Sequence, residues 1–212
     1  MYDWYLCTYI KLIFDTGILP EAWLIGYMIP IFKNKGSKLD PKNYRPITLL
    51  SCIGNIFTSI LNNRLNEYFE QFTILNENQA GFGHGYSTTD HMVFLYALFE
   101  LLCVKKKKLH CAFIDFEKAF DLLYRNSLFF KLINNNINGK FYRIVENMYS
   151  DAKSCIVHNN KKSDMFVCEI GVRQGEHLHP LLFSIYLNDL QDFLEGLNIK
   201  IIDSISRDYK NN

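Results

Sequence analysis

The sequence predicts an α+β fold, in which amphipathic helices pack around short strands. Apolar residues recur at helical spacing over long segments, whereas the strand-like segments are short and lie between turn residues. Hydrophobic residues make up 49% of the chain and charged residues 21%, which is typical of globular proteins. A chain of 212 residues is long enough to bury a core. The net charge of +1 indicates no polyanionic partner by itself, although a local basic face can still bind one.

Residues 2–14 predict the first helix, which Gly17 and Pro20 end. Residues 23–32 predict a strand. Pro30 stands near its middle and cannot donate a ladder hydrogen bond, so we expect an edge strand or a bend. A basic loop at 33–42 precedes one long helix over 47–72. One face of that helix is predicted to carry the apolar residues Ile53, Ile56, Phe57, Ile60, Leu61 and Leu65.

Residues 76–87 are rich in Gly and Asn and predict a loop. Thr89 or Asp90 is expected to cap a helix over 91–104. That 14-residue run is too short to span a membrane and therefore predicts a buried helix. Residues 109–116 are almost continuously apolar, which predicts a strand covered on both faces.

The remaining segments predict helices at 122–134, 140–150 and 180–194, and a hairpin of strands at 154–158 and 165–170. A short apolar segment follows at 199–202. The six cysteines form no C-x-x-C pair, and the amino terminus has no basic segment typical of a signal peptide. We therefore expect reduced thiols and an intracellular location, in the cytoplasm or the nucleus, with no membrane contact.

Asp115 ends the predicted apolar strand, in the stretch F-I-D-F-E-K-A-F-D at 113–121. Side chains at the carboxyl end of a strand project into a crevice, where sheet enzymes place reacting groups. Two structural alternatives stay open at this point. Asp115 could cap the following helix, or it could form a core ion pair with Lys118.

Three further blocks accompany that stretch: N-Y-R-P-I-T-L-L at 43–50, N-Q-A-G-F-G-H-G-Y-S-T-T-D at 78–90, and G-V-R-Q-G-E-H-L-H-P at 171–180. In this order the four blocks resemble the reverse transcriptase of LINE-type (non-LTR) retrotransposons, from about residue 17 to residue 194. The resemblance implies the fingers and partial palm of a right-hand polymerase, with an incomplete antiparallel sheet, packed helices and no thumb.

On that resemblance the whole chain, 1–212, is a partial reverse transcriptase domain. Residues 17–108 would be fingers-like with palm-entry helices, and 109–212 would form the partial palm. The exposed edge of an incomplete sheet allows self-association.

The resemblance also implies roles for single residues. Asp115 would bind catalytic Mg²⁺, and the backbone carbonyl of Phe116 would help to hold a metal. Phe120 resembles the ring that packs under the incoming sugar and excludes a 2′-hydroxyl. Gln174 and Gly175 resemble the part of the nucleotide pocket that contacts base and sugar.

Lys33 and Arg45 resemble the finger residues that hold the triphosphate, a role that suits a point-charge Lys and a planar Arg. From Lys33 to Arg45, both included, the chain carries five cations against one acid. The alternative is an ordinary solvated loop. The lysines at 105–108 are expected to keep a loop soluble, with weak phosphate contact as the alternative. Asp121 is expected to cap a helix or to pair with Arg125.

Three departures from the family pattern bear on activity. Gly83 stands where the family has an arginine. Glu176, His177 and His179 replace the usual residues after the Gln-Gly pair, and Glu176 would bring negative charge near a polyphosphate. No Asp-Asp pair occurs, so we expect the chain to end before the Tyr-x-Asp-Asp block that supplies further metal ligands.

We therefore expect an RNA-directed DNA polymerase that uses an RNA template, a DNA primer and dNTPs, and that is inactive as this chain alone. The alternative is a decayed transposon-derived protein without catalysis, which binds nucleic acid or protein at most. A metal nuclease built on Asp115 is a third possibility, but it lacks partner carboxylates.

Overall fold

The computed structural model describes residues 2–197 except 77, 78, 80 and 82–86. Its contacts divide the chain into two compact units. Unit 1 comprises Met1–Ile74 and Lys118–Tyr186, and unit 2 comprises Leu75–Glu117 and Leu187–Asn212. Both helices and strands are present, so the predicted α+β class is confirmed. The division into fingers and palm stays a prediction.

The helices and strands follow one another in groups along the chain, with four consecutive helices in the described part of the chain between β2 and β3. The helices are α1 (Tyr2–Thr16), α2 (Glu21–Leu24), α3 (Cys52–Gln71), α4 (Thr88–Val104), α5 (Arg125–Asn134), α6 (Gly139–Ser150), α7 (His179–Tyr186) and α8 (Leu190–Gly196). The strands are β1 (Ile25–Phe32), β2 (Tyr44–Leu49), β3 (Lys153–His158), β4 (Lys161–Lys162) and β5 (Phe166–Val167). No helix among the described residues is both long enough and apolar enough to cross a membrane.

The sheet of unit 1 is mixed, so the prediction of an antiparallel sheet is only partly right. β1 pairs with β2 in antiparallel orientation and with β3 in parallel orientation. β3 also pairs with β4 and β5, both antiparallel. Parallel partners need a long connection that returns the chain to the same end of the sheet. Here more than a hundred residues separate β1 from β3, a connection whose geometry the sequence pattern did not reveal.

β1 is an interior strand between β2 and β3, so the prediction of an edge strand is wrong for Ile25 to Met28 but holds for the part that contains Pro30. Pro30 is tolerated for two reasons. It lies opposite Pro46 of β2, where neither residue has an N–H to offer, and the pairing with β3 covers only Ile25 to Met28. The missing donor therefore falls in a part of β1 that has no partner on the β3 side.

The long helix predicted over 47–72 begins later, at Cys52, because the residues before it form β2. Ser51 caps the helix by accepting a hydrogen bond from the Gly54 N–H at 3.4 Å. The buried face is also displaced from the predicted one. Phe57, Leu61, Leu65 and Phe69 are buried, whereas Ile53 and Ile56 are exposed.

The helices predicted at 2–14, 122–134 and 140–150 are confirmed as α1, α5 and α6, with shifted ends. The predicted antiparallel pairing of 154–158 with 165–170 is found as the pair of β3 and β5, but the segment predicted to be a polar tip contains a further strand, β4. Asn159 and Asn160 connect β3 to β4 with φ angles of 49° and 59°. Two consecutive left-handed residues are the geometry that a two-residue hairpin loop needs, and Asn tolerates it better than most residues.

In unit 2, the prediction of a buried helix over 91–104 is wrong in its burial. α4 forms, but Met92 and Tyr96 are well exposed and Leu98 is buried. Its N-cap is Ser87, not Thr89 or Asp90; the Asp90 carboxylate instead accepts a hydrogen bond from the Ser87 N–H at 2.8 Å. The apolar composition predicted the helix, but it does not tell whether another element packs against that helix.

The predicted strand at 109–116 is also wrong. These residues have no regular secondary structure, and the apolar side chains of Phe113 and Ile114 are 86% and 73% exposed. A strand exists only where a second strand accepts its backbone hydrogen bonds, and no described strand pairs with this segment.

The helix predicted over 180–194 is two helices, α7 and α8, separated at 187–189. The predicted loop at 76–87 falls largely outside the described residues, and so does the apolar segment at 199–202.

Candidate nucleotide site

The loop at 171–176 is fastened at both ends to other parts of unit 1. The Gly171 N–H donates to the Leu123 carbonyl at 2.7 Å, and the Val172 N–H donates to the Phe120 carbonyl at 2.9 Å. Further along, the Gln174 carbonyl accepts from the Thr48 N–H at 3.1 Å. The loop therefore runs from the 120–123 segment to the outer edge of β2.

Two glycines permit this close approach. Gly175 has a φ of 122°, and a Cβ there would collide with the carbonyl oxygen of Thr48. Gly171 has a φ of 78°, and a Cβ would lie 2.6 Å from the carbonyl oxygen of Asp121. Both positions need the left-handed conformation and the missing side chain that only glycine offers.

The side chain of Gln174 is oriented by Asp121, because its Nε2 donates to the Asp121 Oδ1 at 3.0 Å. Burial raises the pKa of Asp121, against the opposing effects of Lys118, the Gln174 hydrogen bond and Lys33. The prediction that Asp121 pairs with Arg125 is wrong, because Arg125 binds backbone carbonyls instead. Asp121 is thus hydrogen-bonded to the 171–176 loop and lies within electrostatic range of Lys33, at the end of β1.

Lys33 and Arg45 stand on the same face of the β1–β2 pair. Ile31 lies opposite Arg45, and Lys33 follows Ile31 by two positions, so all three side chains leave on one side. Both cations are exposed. The Lys33 Nζ donates to the Lys42 carbonyl at 3.0 Å, and the Lys33 N–H donates to the Asn43 carbonyl at 2.8 Å.

The ring of Phe120 packs against the beginning and middle of α7. Its centroid lies 5.1 Å from the His179 ring, edge to face, and 4.8 Å from the Phe183 ring. Burial lowers the pKa of His179, so that side chain is a neutral packing partner near neutral pH. Phe120 directly precedes Asp121, and its carbonyl accepts a hydrogen bond from Val172, so its ring is held beside the 171–176 loop.

Asp115 and Phe116 belong to unit 2, whereas the other predicted site residues belong to unit 1. Both are exposed, in the segment that forms no strand. Within the described residues, no three His, Cys, Asp or Glu side chains cluster closely enough to hold a metal ion. The part of the chain that the structure describes therefore does not supply a full ligand set for Mg²⁺.

Two buried arginines beneath the loop were missed by the sequence reasoning. Arg125 donates to the carbonyls of Gly171, Tyr149, Cys168 and Ile170. Arg173 donates to the carbonyls of Trp23, Leu24 and Met148 at 2.7–3.2 Å. The sequence does place Arg173 directly before the Gln-Gly pair, but that block was used only to predict nucleotide contacts.

The sequence suggested that Glu176 would bring negative charge close to a bound polyphosphate, but the structure buries this side chain. It is 2% exposed and accepts a hydrogen bond from the Tyr149 hydroxyl at 3.2 Å. Burial raises the pKa of Glu176 to about 7, although Arg173, the Tyr149 hydrogen bond and Arg125 oppose that rise. The carboxyl group is therefore part of the core beneath the loop.

Comparison with known proteins bears directly on this arrangement. The family described as "Reverse transcriptase (RNA-dependent DNA polymerase)" matches residues 32–202. The chain is 28% identical over 186 residues to the probable RNA-directed DNA polymerase from transposon BS of Drosophila melanogaster, covering 88% of this chain and 20% of that protein. It is 28% identical over 197 residues to the RNA-directed DNA polymerase from mobile element jockey of Drosophila funebris, covering 89% of this chain and 21% of that protein.

A third relative, at 27% identity over 178 residues, is the Pol polyprotein from retrotransposable element R2 of Nasonia vitripennis; the match covers 84% of this chain and 17% of that protein. The chain thus spans about a fifth of the length of the curated relatives it matches. The predicted resemblance to non-LTR reverse transcriptases is confirmed, and the chain belongs to the reverse transcriptase family.

Proposed function

We propose that this chain forms the nucleotide-binding part of an RNA-directed DNA polymerase of a non-LTR retrotransposon, which copies an RNA template from a DNA primer with dNTPs. One observation carries the proposal. The Asp121 carboxylate accepts a hydrogen bond from Gln174 and is acted on by the charge of Lys33, although the three residues come from separate segments of the sequence. Four residues of the predicted pocket, Lys33, Phe120, Gln174 and Gly175, lie at or next to that cluster.

The chemistry of these residues suits an incoming nucleotide. Lys33 and Arg45 are exposed cations on one face of the β1–β2 pair, where they would bind triphosphate oxygens. The Asp121 carboxylate fixes the Gln174 amide, so the loop would present a preorganised contact to base and sugar. Phe120, packed on α7, would place a rigid ring beneath the sugar.

Mg²⁺ would neutralise charge on the transferred phosphate, as it does in two-metal phosphoryl transfer. Asp115 and the Phe116 carbonyl are the residues that we propose as its ligands in this chain. They do not make a complete site by themselves, because the described residues contain no further carboxylate cluster.

A decayed, non-catalytic protein is the second candidate, favoured by the departures from the family pattern at Gly83, Glu176 and His179. Glu176 is buried beneath the loop, and His179 packs against Phe120, so neither adds charge to the pocket. The third argument, Gly83, lies outside the described residues.

The test measures binding of labelled dTTP by this chain in the presence of an RNA–DNA primer–template and Mg²⁺. Lys33→Ala and Arg45→Ala should each weaken dTTP binding about tenfold, because each removes a charge-assisted contact to phosphate. Lys107→Ala is the matched control, since it removes an equally exposed lysine from a different loop. Equal loss in all three variants, or no nucleotide binding by the wild-type chain, would contradict the proposal.

A further inference from the structure

A small, partly open cavity lies between the first turns of α3 and the 171–176 loop. Its volume is about 20 Å³, enough for the centre of one water molecule. Its walls include Trp23, Gly54, Asn55, Arg173 and Glu176, all within unit 1. The cavity is therefore lined by the same core that supports the proposed nucleotide loop.

Two buried oxygens on the cavity wall have no hydrogen-bond partner in the protein. One is the Oε1 of Glu176, whose other carboxyl oxygen accepts from the Tyr149 hydroxyl. The other is the Oδ1 of Asn55, on α3. An unsatisfied buried acceptor costs about 1–3 kcal/mol, so two beside one cavity require an explanation.

The missing partner must be a small donor of two hydrogen bonds. Asn55 Oδ1 is an acceptor with the side-chain amide oriented as in this structure. Glu176 Oε1 is an acceptor as long as it carries no proton. A metal cation is disfavoured, because the Arg173 guanidinium lines the cavity and Arg125 also acts on Glu176. Water is neutral, fits the volume, and carries two O–H groups.

We propose that one water molecule occupies this cavity and donates one hydrogen bond to Glu176 Oε1 and one to Asn55 Oδ1, so that it ties the 171–176 loop to α3. Glu176 and Asn55 are then positioning residues for that loop. The bridge rests on the proposed function only in treating Gln174 and Gly175 as nucleotide contacts. The hydration site itself stands without it.

The first test is a high-resolution crystal structure of the wild-type chain. One ordered water within hydrogen-bond distance of both oxygens is expected. An empty cavity, or a water that reaches only one of the two oxygens, would overturn the bridge. This measurement needs no variant, so it remains decisive even if a substitution prevents folding.

The second test follows amide hydrogen exchange in Asn55→Leu, which removes one end of the bridge at similar side-chain volume. The Gly171 and Val172 amides, which are hydrogen-bonded in the loop, should exchange about tenfold faster than in the wild type. The Ile137 amide, which donates to Leu132 at the turn after α5, should keep its rate. A uniform acceleration of all three amides would show global destabilisation and would contradict the positioning role.

Two comparison variants sharpen this result. Asn63→Leu makes the same substitution at an exposed position of α3 and should leave the loop amides unchanged. Glu176→Gln keeps a polar amide on the cavity and should keep Gly171 and Val172 within about threefold of the wild-type rates. If Glu176→Gln frees the loop as strongly as Asn55→Leu, the bridge is not what holds it.

These outcomes separate the bridge from the proposed function. Hydration and amide exchange are measured without nucleotide, so the bridge can fail while Lys33→Ala and Arg45→Ala still weaken dTTP binding. The reverse result, a bridged loop without nucleotide binding, would leave the hydration site and remove the polymerase proposal.

Discussion

The segments at 109–117 and 171–176 carry two blocks of the same family pattern, but they differ in how many hydrogen bonds and contacts fix their backbones. The 171–176 loop is held by backbone hydrogen bonds to Leu123, Phe120 and Thr48. The 109–117 segment has no regular secondary structure, and its side chains are mostly exposed. One block is therefore fixed by its own unit, while the other has residues of the right type without a local framework.

The difference shows what fixes the geometry of a motif. The loop is fixed because glycines at 171 and 175 let its backbone reach the Asp121 and Thr48 carbonyls. The 109–117 segment is as apolar as a central strand, but it lacks a hydrogen-bonded neighbour among the described strands. Residue type is set by the sequence, whereas preorganisation depends on the neighbours that the fold supplies.

Asp115→Ala should give the largest effect, and only on activity. In a polypeptide that contains this chain and extends a primer on an RNA template, the rate should fall by about a thousandfold or more, because a metal ligand is lost. The free energy of unfolding should change by less than about 0.5 kcal/mol, since the side chain is exposed.

Glu117→Ala, an exposed acid in the same segment, is the control and should extend primers at close to the wild-type rate. If Asp115→Ala extends primers as fast as that control, Asp115 is not a metal ligand.

Gly175→Ala should instead act mainly on stability. The new Cβ would collide with the Thr48 carbonyl oxygen at a φ of 122°, which alanine rarely adopts. We expect a loss of about 2–3 kcal/mol in the free energy of unfolding, measured by urea denaturation. Gly196→Ala, where a Cβ meets no atom within 4 Å, should change it by less than about 0.5 kcal/mol. Equal stability of the two variants would mean that the loop does not approach β2 as closely as the structure has it.

Glu176→Gln should change how stability depends on pH. The pKa of Glu176 is about 7 in the folded protein, against 4.5 for an ordinary glutamate, so folding takes up a proton between these values. The free energy of unfolding of the wild type should therefore fall as the pH rises from 4.5 through 7. Gln removes that fall, so the variant should match the wild type near pH 4.5 and exceed it by about 3 kcal/mol at pH 8.

Thermal or urea unfolding from pH 4.5 to 8 measures both curves. The lowered pKa of His179 acts in the opposite direction below pH 6.5, but it does so in both proteins and cancels in their difference. Parallel curves at all pH values would place the Glu176 carboxyl in water rather than in the core that Tyr149, Arg173 and Arg125 surround.

Local patterns predicted the helices and the hairpin well. Helical spacing identified α1, α5 and α6, and short alternating segments identified β3 and its antiparallel partner β5. Burial was predicted less well. α3 and α4 are both apolar helices, but α3 buries Phe57 and Leu61 while α4 leaves Met92 exposed. Periodicity reports that a face is apolar, but not whether another element covers it.

The sequence by itself determined the family, the residue types of the proposed nucleotide pocket and the charge of the 33–45 stretch, because these depend on side-chain chemistry and order along the chain. Only the tertiary structure decided that Pro30 lies in an interior strand, that Glu176 is buried in the core, and that Asp121 orients Gln174. Those outcomes depend on contacts between residues far apart in the chain, and no local pattern records which partners meet or how much water they exclude.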